Sequence, residues 1–332
     1  MPVRLEQGLP IIRPTLERRF GLMADSLVVL TNDERLLAAA ETSFGRFAVP
    51  ADDGPPLIVE LYVDQAAETD GAPLPIRPIR HRLHGDLYLV DGAGDERAIA
   101  RIDDGVAVAF VTQATLADPL TLRFHYIEAM ALALLARSRG YLTIHAAGVV
   151  VDGVGVALHG PAGAGKSTLA MACARRGFGV LAEDAVFARM RGADGAEFWG
   201  LPWMQRLLPD ARELFPELTG LEPRLQPNGE TKIEVDLDIV HPGRSRPCAP
   251  AGPIVHIARD TGGPTRIEVL EGPEDGRTLP VHWPWDGGWS AEHARLAELV
   301  LAGGVYRLHV NGPVDEAVDA LAAMLDERTV PA

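Results

Sequence analysis

The chain has 332 residues, 47% hydrophobic and 23% charged, a composition for a globular protein with a substantial core and enough length for two domains. Its formal charge of −15 argues against nucleic acid or an anionic membrane as a partner. The N-terminal stretch lacks the order of a signal peptide, the apolar run around Ile127–Leu135 is too short to span a bilayer, and the two cysteines, Cys173 and Cys248, suggest neither a disulfide framework nor a zinc site, so a cytoplasmic location is expected.

In chain order, Asn32 or Thr31 is expected to cap a helix over Asp33–Thr42, with Leu36, Leu37 and Ala40 on one face and Phe44-Gly45 at its end. Leu57–Val63 reads as a strand and Pro73–Pro78 as a loop. Asp86–Val90, Ala98–Ile102 and Val106–Thr112 read as short strands separated by the turn signals Asp91-Gly92 and Asp104-Gly105, which predicts a small antiparallel sheet. Pro119–Arg139 reads as a long helix, apolar nearly all round in its second half and therefore buried, with Gly140 at its end. A boundary there divides the chain into an N-terminal α+β domain, residues 1–140, and a second domain, residues 141–332.

Beyond Tyr141, Thr143–Val151 and Val154–His159 are apolar runs joined by Asp152-Gly153, a strong hairpin signal. The second run leads into a glycine-rich loop. Ser167–Arg176 then reads as a helix with Gly177 as its cap, and Gly179–Ala182 as a strand ending in Glu183-Asp184. Strands follow at Lys232–Leu237, Ile254–Ala258 and Arg266–Leu270, then a helix capped by Ser290 and ended by Gly303-Gly304, and another over Val314–Asp326. Cys173 falls in a helix and Cys248 in a Pro-rich loop.

The glycine-rich loop is Gly160, Pro161, Ala162, Gly163, Ala164, Gly165, Lys166 and Ser167, a full G-x-x-x-x-G-K-[ST] match. Its glycines let the backbone wrap a phosphate chain with N–H groups turned inward, and the helix starting beside Thr168 adds its positive end to the same anion. Lys166 is suited to the β- and γ-phosphates of ATP, and the Ser167 hydroxyl to Mg²⁺. Lysine is also rare: of 31 basic residues, Lys166 and Lys232 alone are lysine. Where arginine is the default cation, a retained lysine suggests a need for a compact ammonium, which makes Lys232 a candidate phosphate or substrate contact. Phosphoryl transfer needs a second metal ligand and, for a hydroxyl acceptor, a base. Glu183 and Asp184 stand at the strand end where ligands of α/β sheets gather; Asp184 is the firmer candidate and is expected to hold Mg²⁺ with Ser167, and either carboxylate to orient the acceptor hydroxyl. Arg244 and Arg246 are a further phosphate-binding pair or a solvated loop, and Trp283, Trp285 and Trp289 a peptide grip or a packed surface loop.

The stretch from His145 through the hairpin to Ser167, followed by the acidic pair Glu183-Asp184, resembles the HPr kinase/phosphorylase family and its smaller kinase-like relatives, some of them found with lasso peptides. The resemblance covers Tyr141 to about Ala258 and is specific around the loop. It implies a P-loop kinase domain of the kind shared with phosphoenolpyruvate carboxykinases, a mixed sheet with flanking helices. It also implies a serine hydroxyl on a protein or peptide as acceptor, ATP and Mg²⁺ as cofactors, and a homo-oligomer. One of Glu183 and Asp184 would be the base and the other would help hold the metal and phosphates; His145 would support the phosphate side. Glu197, in Glu197-Phe-Trp-Gly200, is similar to the family's Glu-x-Arg-Gly glutamate near the metal, with Trp199 in place of the arginine, which puts a phosphorolysis activity in doubt. Lys232 matches a lysine of the kinase-like relatives, and Pro202–Asp210 a Leu-Trp-Pro-Asp-like segment. The other classes the sequence leaves open are a nucleotide-regulated switch without phosphotransfer and a kinase of free serine or a sugar.

Overall fold

The computed structural model describes residues 13–50, 54–63, 79–92, 94–202, 204–259, 262–272, 277–280 and 290–329. The Pro73–Pro78 loop and the tryptophan cluster at positions 283, 285 and 289 lie outside them. The chain divides into two compact units, Met1–Ser138 and Arg139–Ala332. Among the described residues no helix is long and apolar enough to cross a membrane.

The first unit is a seven-stranded sheet. Its strands are β1 (Leu16–Leu22), β2 (Asp25–Thr31), β3 (Leu57–Val63), β4 (Arg80–His84), β5 (Leu87–Asp91), β6 (Arg97–Arg101) and β7 (Val106–Val111). The expected antiparallel pairing holds for β5, β6 and β7, but the sheet as a whole is mixed, because β3 pairs parallel with both β2 and β7. The reason is the helix α1 (Glu34–Phe44) between β2 and β3, a crossover that brings the chain back in the same direction. Its cap is Asp33, whose carboxylate accepts from the Arg35 N–H. Asn32, expected there, instead donates to the Val63 carbonyl at the end of β3, and Thr31 Oγ1 accepts from the Asp33 N–H. The long helix α2 forms, but in three consecutive pieces, Pro119–Thr121, the wide π turn Leu122–Glu128, and Ala129–Ser138. The π turn lets His125, Tyr126 and Ile127 all face inward, three successive residues that an α-helix would fan apart.

The second unit is built on a strongly curled nine-stranded sheet. Along its main path the order is β11 (Gly179–Ala182), β9 (Ala147–Val151), β10 (Val154–His159), β17 (Cys248–Arg259), β13 (Gly195–Trp199), β12 (Ala185–Arg191) and β8 (Leu142–His145); β19 (Val305–Val310) attaches to the far half of β17, and β18 (Arg266–Val269) to β19. Cys248 therefore begins a long strand and does not lie in a loop. Both faces are buried, and the alternation of side chains along each strand supplies two cores. Val149, Val151, Val156, Leu158, Val255 and Ile257 face one, with the helices α3 (Lys166–Arg175) and α5 (Val314–Thr329). Val150, Ala157 and Ile254 face the other, with Phe198 and the helix α4 (Ala291–Ala302), capped by Ser290 as expected.

The run Thr143–Val151, expected as one strand, is broken at Ala146. β8 pairs with β12, whereas β9 pairs with β10 and β11. The partner chain breaks at the same level: β11 ends at Ala182 and β12 starts at Ala185, leaving Glu183-Asp184 between them. Two neighbouring chain segments thus change sheet partners together. The crossing is pinned by the Ala146 N–H to the Asp184 carbonyl at 3.1 Å and by the His145 N–H to the Pro280 carbonyl at 2.8 Å. Side chains at such a break leave the strict up-and-down alternation, and this frees adjacent residues to point to different places.

At the other end of β9, Asp152 and Gly153 both adopt positive φ, 50° and 84°, the geometry of a tight type I′ hairpin. A Cβ at Gly153 would meet nothing within 4 Å, so the position is restricted by backbone strain alone. Gly153→Ala is therefore expected to lower stability by about 1 kcal/mol, measured as a shifted denaturation midpoint with an unchanged slope in urea. An unaltered midpoint would contradict the turn assignment.

Candidate functional site

The glycine-rich loop joins β10 to α3. Gly163 and Gly165 both have positive φ, 78° and 99°, and Gly165 is the left-handed residue from which α3 begins. No side chain caps that helix, so the first N–H groups of α3 are left to an anionic ligand. Lys166 folds back over the loop, its Nζ donating to the Gly160 carbonyl at 2.9 Å. The second half of α3, Leu169–Ala174, is fully buried and anchors the loop to the core.

The break in the strands delivers the acidic pair to this loop, and there the two neighbours diverge. Glu183 turns inward: its Oε1 accepts from the Ser167 hydroxyl at 3.1 Å, and its side chain is only 10% exposed. Asp184 turns outward, with 48% side-chain exposure, and its Oδ1 meets His145 Nε2 at 3.0 Å. Burial pushes the Glu183 carboxyl above the ordinary carboxylate value, against the pull of Arg206. Burial also opposes ionisation of Asp184, but the His145 hydrogen bond and the charges of His145, Lys166 and Lys232 outweigh it and hold the carboxyl below its usual value.

A second layer of charge comes from a small three-stranded sheet, β14 (Met204–Leu207), β15 (Arg224–Leu225) and β16 (Thr231–Asp236). Alternation along β16 buries Ile233 and Val235 in the core and presents Lys232 and Glu234 on the opposite face. Arg206, register partner of Glu234, bridges Glu234 Oε1 at 3.3 Å and Glu183 Oε2 at 3.5 Å. Lys232 pairs with Glu230 at 3.2 Å, and its charge lowers both Glu183 and Asp184. A row of rings runs away from Asp184: His159 Nδ1 meets the His145 carbonyl at 2.8 Å, and His159 packs edge-on to His256, its register partner on β17, at 5.1 Å. Burial and the neighbouring His159 push His256 down to about 4, so it is neutral at physiological pH.

The structure brings Lys166, Ser167, Glu183, Asp184, His145 and Lys232 to one place. It does not bring the remaining candidates there. Glu197 lies in the middle of β13, opposite Arg189, and accepts from the Trp199 indole at 2.8 Å; Asp184 is outside the other end of β12. Arg244 and Arg246 lie at the C-terminal end of α3, about 15 Å along the helix from the loop. Arg244 donates to the Gly177 carbonyl and Arg246 to the Gly243 and Ser245 carbonyls, so both guanidinium groups secure chain turns there. Arg206 and Glu234 were not singled out from the sequence. The alternation in Thr231–Asp236 pairs Glu234 with Lys232 on one face, but the approach of Arg206 depends on strand pairing.

The described residues contain no cluster of three or more His, Cys, Asp or Glu side chains able to cage a metal by themselves. The Ser167–Glu183 pair nonetheless fits Mg²⁺, which takes one or two protein oxygen ligands and completes its octahedron with water and substrate phosphate.

A family model described as an AAA domain matches residues 156–220, the segment holding the loop, α3 and the acidic pair. No curated protein matches the chain. Among solved structures, the Hpr(Ser) kinase/phosphatase from Coxiella burnetii aligns over 56% of this chain and 97% of its own, at 13% identity and a TM-score of 0.31. A score that low carries no weight for the fold or the activity. The mixed α/β architecture, the loop and its flanking strand and helix identify a P-loop domain.

Because its folded value is raised, Glu183 favours the fold when neutral. That contribution is fully present below about pH 4.5 and is lost as pH rises through the raised value. Glu183→Gln is thus expected to raise the melting temperature of the ligand-free protein at pH 7 and to leave it nearly unchanged at pH 4. A lower melting temperature at pH 7 would contradict this reading of the site.

Proposed function

We propose that this protein is an ATP- and Mg²⁺-dependent kinase that moves the γ-phosphoryl group to a serine hydroxyl on a protein or peptide. The observation that carries the reading is the divergence of the acidic pair, Glu183 to Ser167 in the loop and Asp184 to His145 on the exposed side. Two neighbouring carboxylates in unlike settings divide two tasks that phosphoryl transfer requires, holding a cation and accepting a proton.

In this account the loop amides and Lys166 bind the phosphates and stabilise charge spread over the transferring group. Ser167 and Glu183 would hold Mg²⁺, whose charge would offset that of the phosphates. Asp184 accepts the hydroxyl proton as the acceptor oxygen forms its bond to the γ-phosphorus and the bond to the bridging oxygen of ADP breaks. Its depressed value keeps it ionised at neutral pH, and His145, bound to Oδ1, fixes its orientation and leaves Oδ2 for the acceptor. Arg206, at 3.5 Å from Glu183 Oε2, opposes the effect of burial on the inner carboxyl. The choice of a serine in a polypeptide is supported by the sequence resemblance alone.

Lys166→Ala is expected to abolish transfer of label from γ-labelled ATP, whereas Asp184→Asn should lower kcat by about 10²-fold or more with little change in ATP affinity. Serine-containing peptides, free serine and sugars supplied in parallel identify the acceptor class. Full activity in Lys166→Ala, or nucleotide binding with no transfer to any acceptor, would sink the kinase reading; the latter favours a nucleotide-controlled switch.

A further inference from the structure

The outer face of the first unit's sheet breaks the pattern of a face turned to water. Alternation along the strands sends Leu27, Val29, Val59, Leu61, Ala107 and Ala109 inward, where α1 and α2 pack and exposure falls to 1% or less. In a sheet covered on one side the opposite positions are ordinarily polar. Here the register lines up one row across the outer face, from β1 to β4, as Glu17, Leu30, Glu60, Val108, Ile99, Leu89 and Arg82. Four of the five central places are apolar. Beside that row Phe110 stacks on Tyr62 at 5.5 Å, and Ile58 pairs with Val106. Ile99 and Phe110, in the middle of the sheet, are 47% and 46% exposed. A continuous apolar patch of this kind marks an interaction surface.

Size and charge say what covers it. Seven strands about 4.8 Å apart, each with about three outward side chains, make a face roughly 30 Å by 20 Å, or about 600 Å² in plan. That is close to the ~800 Å² each partner gives to a stable interface. One helix or peptide, about 10 Å wide, would leave most of it bare. We propose that the face is covered by the same face of a second copy of this chain, packed sheet on sheet about a two-fold axis that runs along β7. Such an axis sets β1 against β4 of the second copy, β2 against β5 and β3 against β6. Within the row, Glu17 then meets Arg82, Leu30 meets Leu89, and Val108 meets its own copy, as Phe110 does in the next row. Glu60 faces Ile99 between the Arg97 and Arg101 that flank it on β6. Arg82, Arg97 and Arg101 are all more than half exposed, and surface pairs with Asp91 and Asp104 hold them only weakly. The match of two bases, Arg19 with His84, lies at an outer corner.

Sedimentation velocity of the full-length chain without nucleotide, over a range of micromolar concentrations, tests the assignment independently of the kinase reading. The wild type is expected to sediment as a dimer. Phe110→Glu, which sets a charge against its own copy on the axis, is expected to sediment as a monomer with an unchanged far-UV spectrum. Glu17→Arg and Arg82→Glu, both at exposed positions that do not endanger the fold, are each expected to weaken the dimer by about tenfold, because symmetry repeats every contact. The two together restore the pair with its signs exchanged, and the dimer should recover to within about threefold of wild type. A monomeric wild type, which would leave the face to a different partner, overturns the proposal. So does a dimer that persists in folded Phe110→Glu, since it must use another surface. Failure of the double variant to recover overturns the two-fold axis along β7.

Discussion

The hydrogen bond from Ser167 to Glu183 ties the two halves of the site together. Ser167 is placed by a left-handed glycine and a helix buried along its second half. Glu183 is placed by a strand that ends and restarts two residues later in a different part of the sheet. Holding an acid this deep is costly, since burial raises its carboxyl, and Arg206 and Lys232 are the local compensation. A ligand-free site that stores such a cost gains when a cation arrives, which is how a binding site couples strain to function.

The same break explains how two adjacent residues acquire opposite surroundings. In an unbroken strand Glu183 and Asp184 would face opposite sides of the sheet, one toward each core. At the break both stay on the loop side, one inside and one out. The curled sheet makes the arrangement rigid: β8 runs on into β9 and β11 into β12, so the chain crosses the break twice, and the Ala146–Asp184 bond locks the crossings to each other. His145 is carried to Asp184 by the first crossing and Glu183 to Ser167 by the second.

Much of this was legible in the sequence because it depends on local rules. The loop, its hairpin, the helix cap at Ser290 and the alternating strands declare themselves through glycine φ, turn chemistry and periodicity. What the sequence hides depends on pairing between distant segments. The parallel β2–β3–β7 core could not be told from an antiparallel one, because both show the same period of two. Thr143–Val151 is continuously apolar, and nothing local marks Ala146 as the point where the partner changes. Arg206 joins the site only because β14 pairs with β16, and Glu197, Arg244 and Arg246 leave it because their strands and turns end elsewhere. The capping of α1 went to Asp33 over Asn32 through a tertiary contact, the bond from Asn32 to Val63.

The central claim is that the two neighbouring carboxylates have separate tasks, Glu183 on the cation and Asp184 on the acceptor. The most direct measurement is the Mg²⁺ dependence of ATP binding, titrated by calorimetry in Glu183→Gln and Asp184→Asn side by side. Glu183→Gln is expected to raise the Mg²⁺ concentration needed for half-maximal binding by about tenfold, equivalent to ~1.4 kcal/mol, while Asp184→Asn stays within about twofold of wild type. Equal shifts in the two variants, or a larger one in Asp184→Asn, would contradict it.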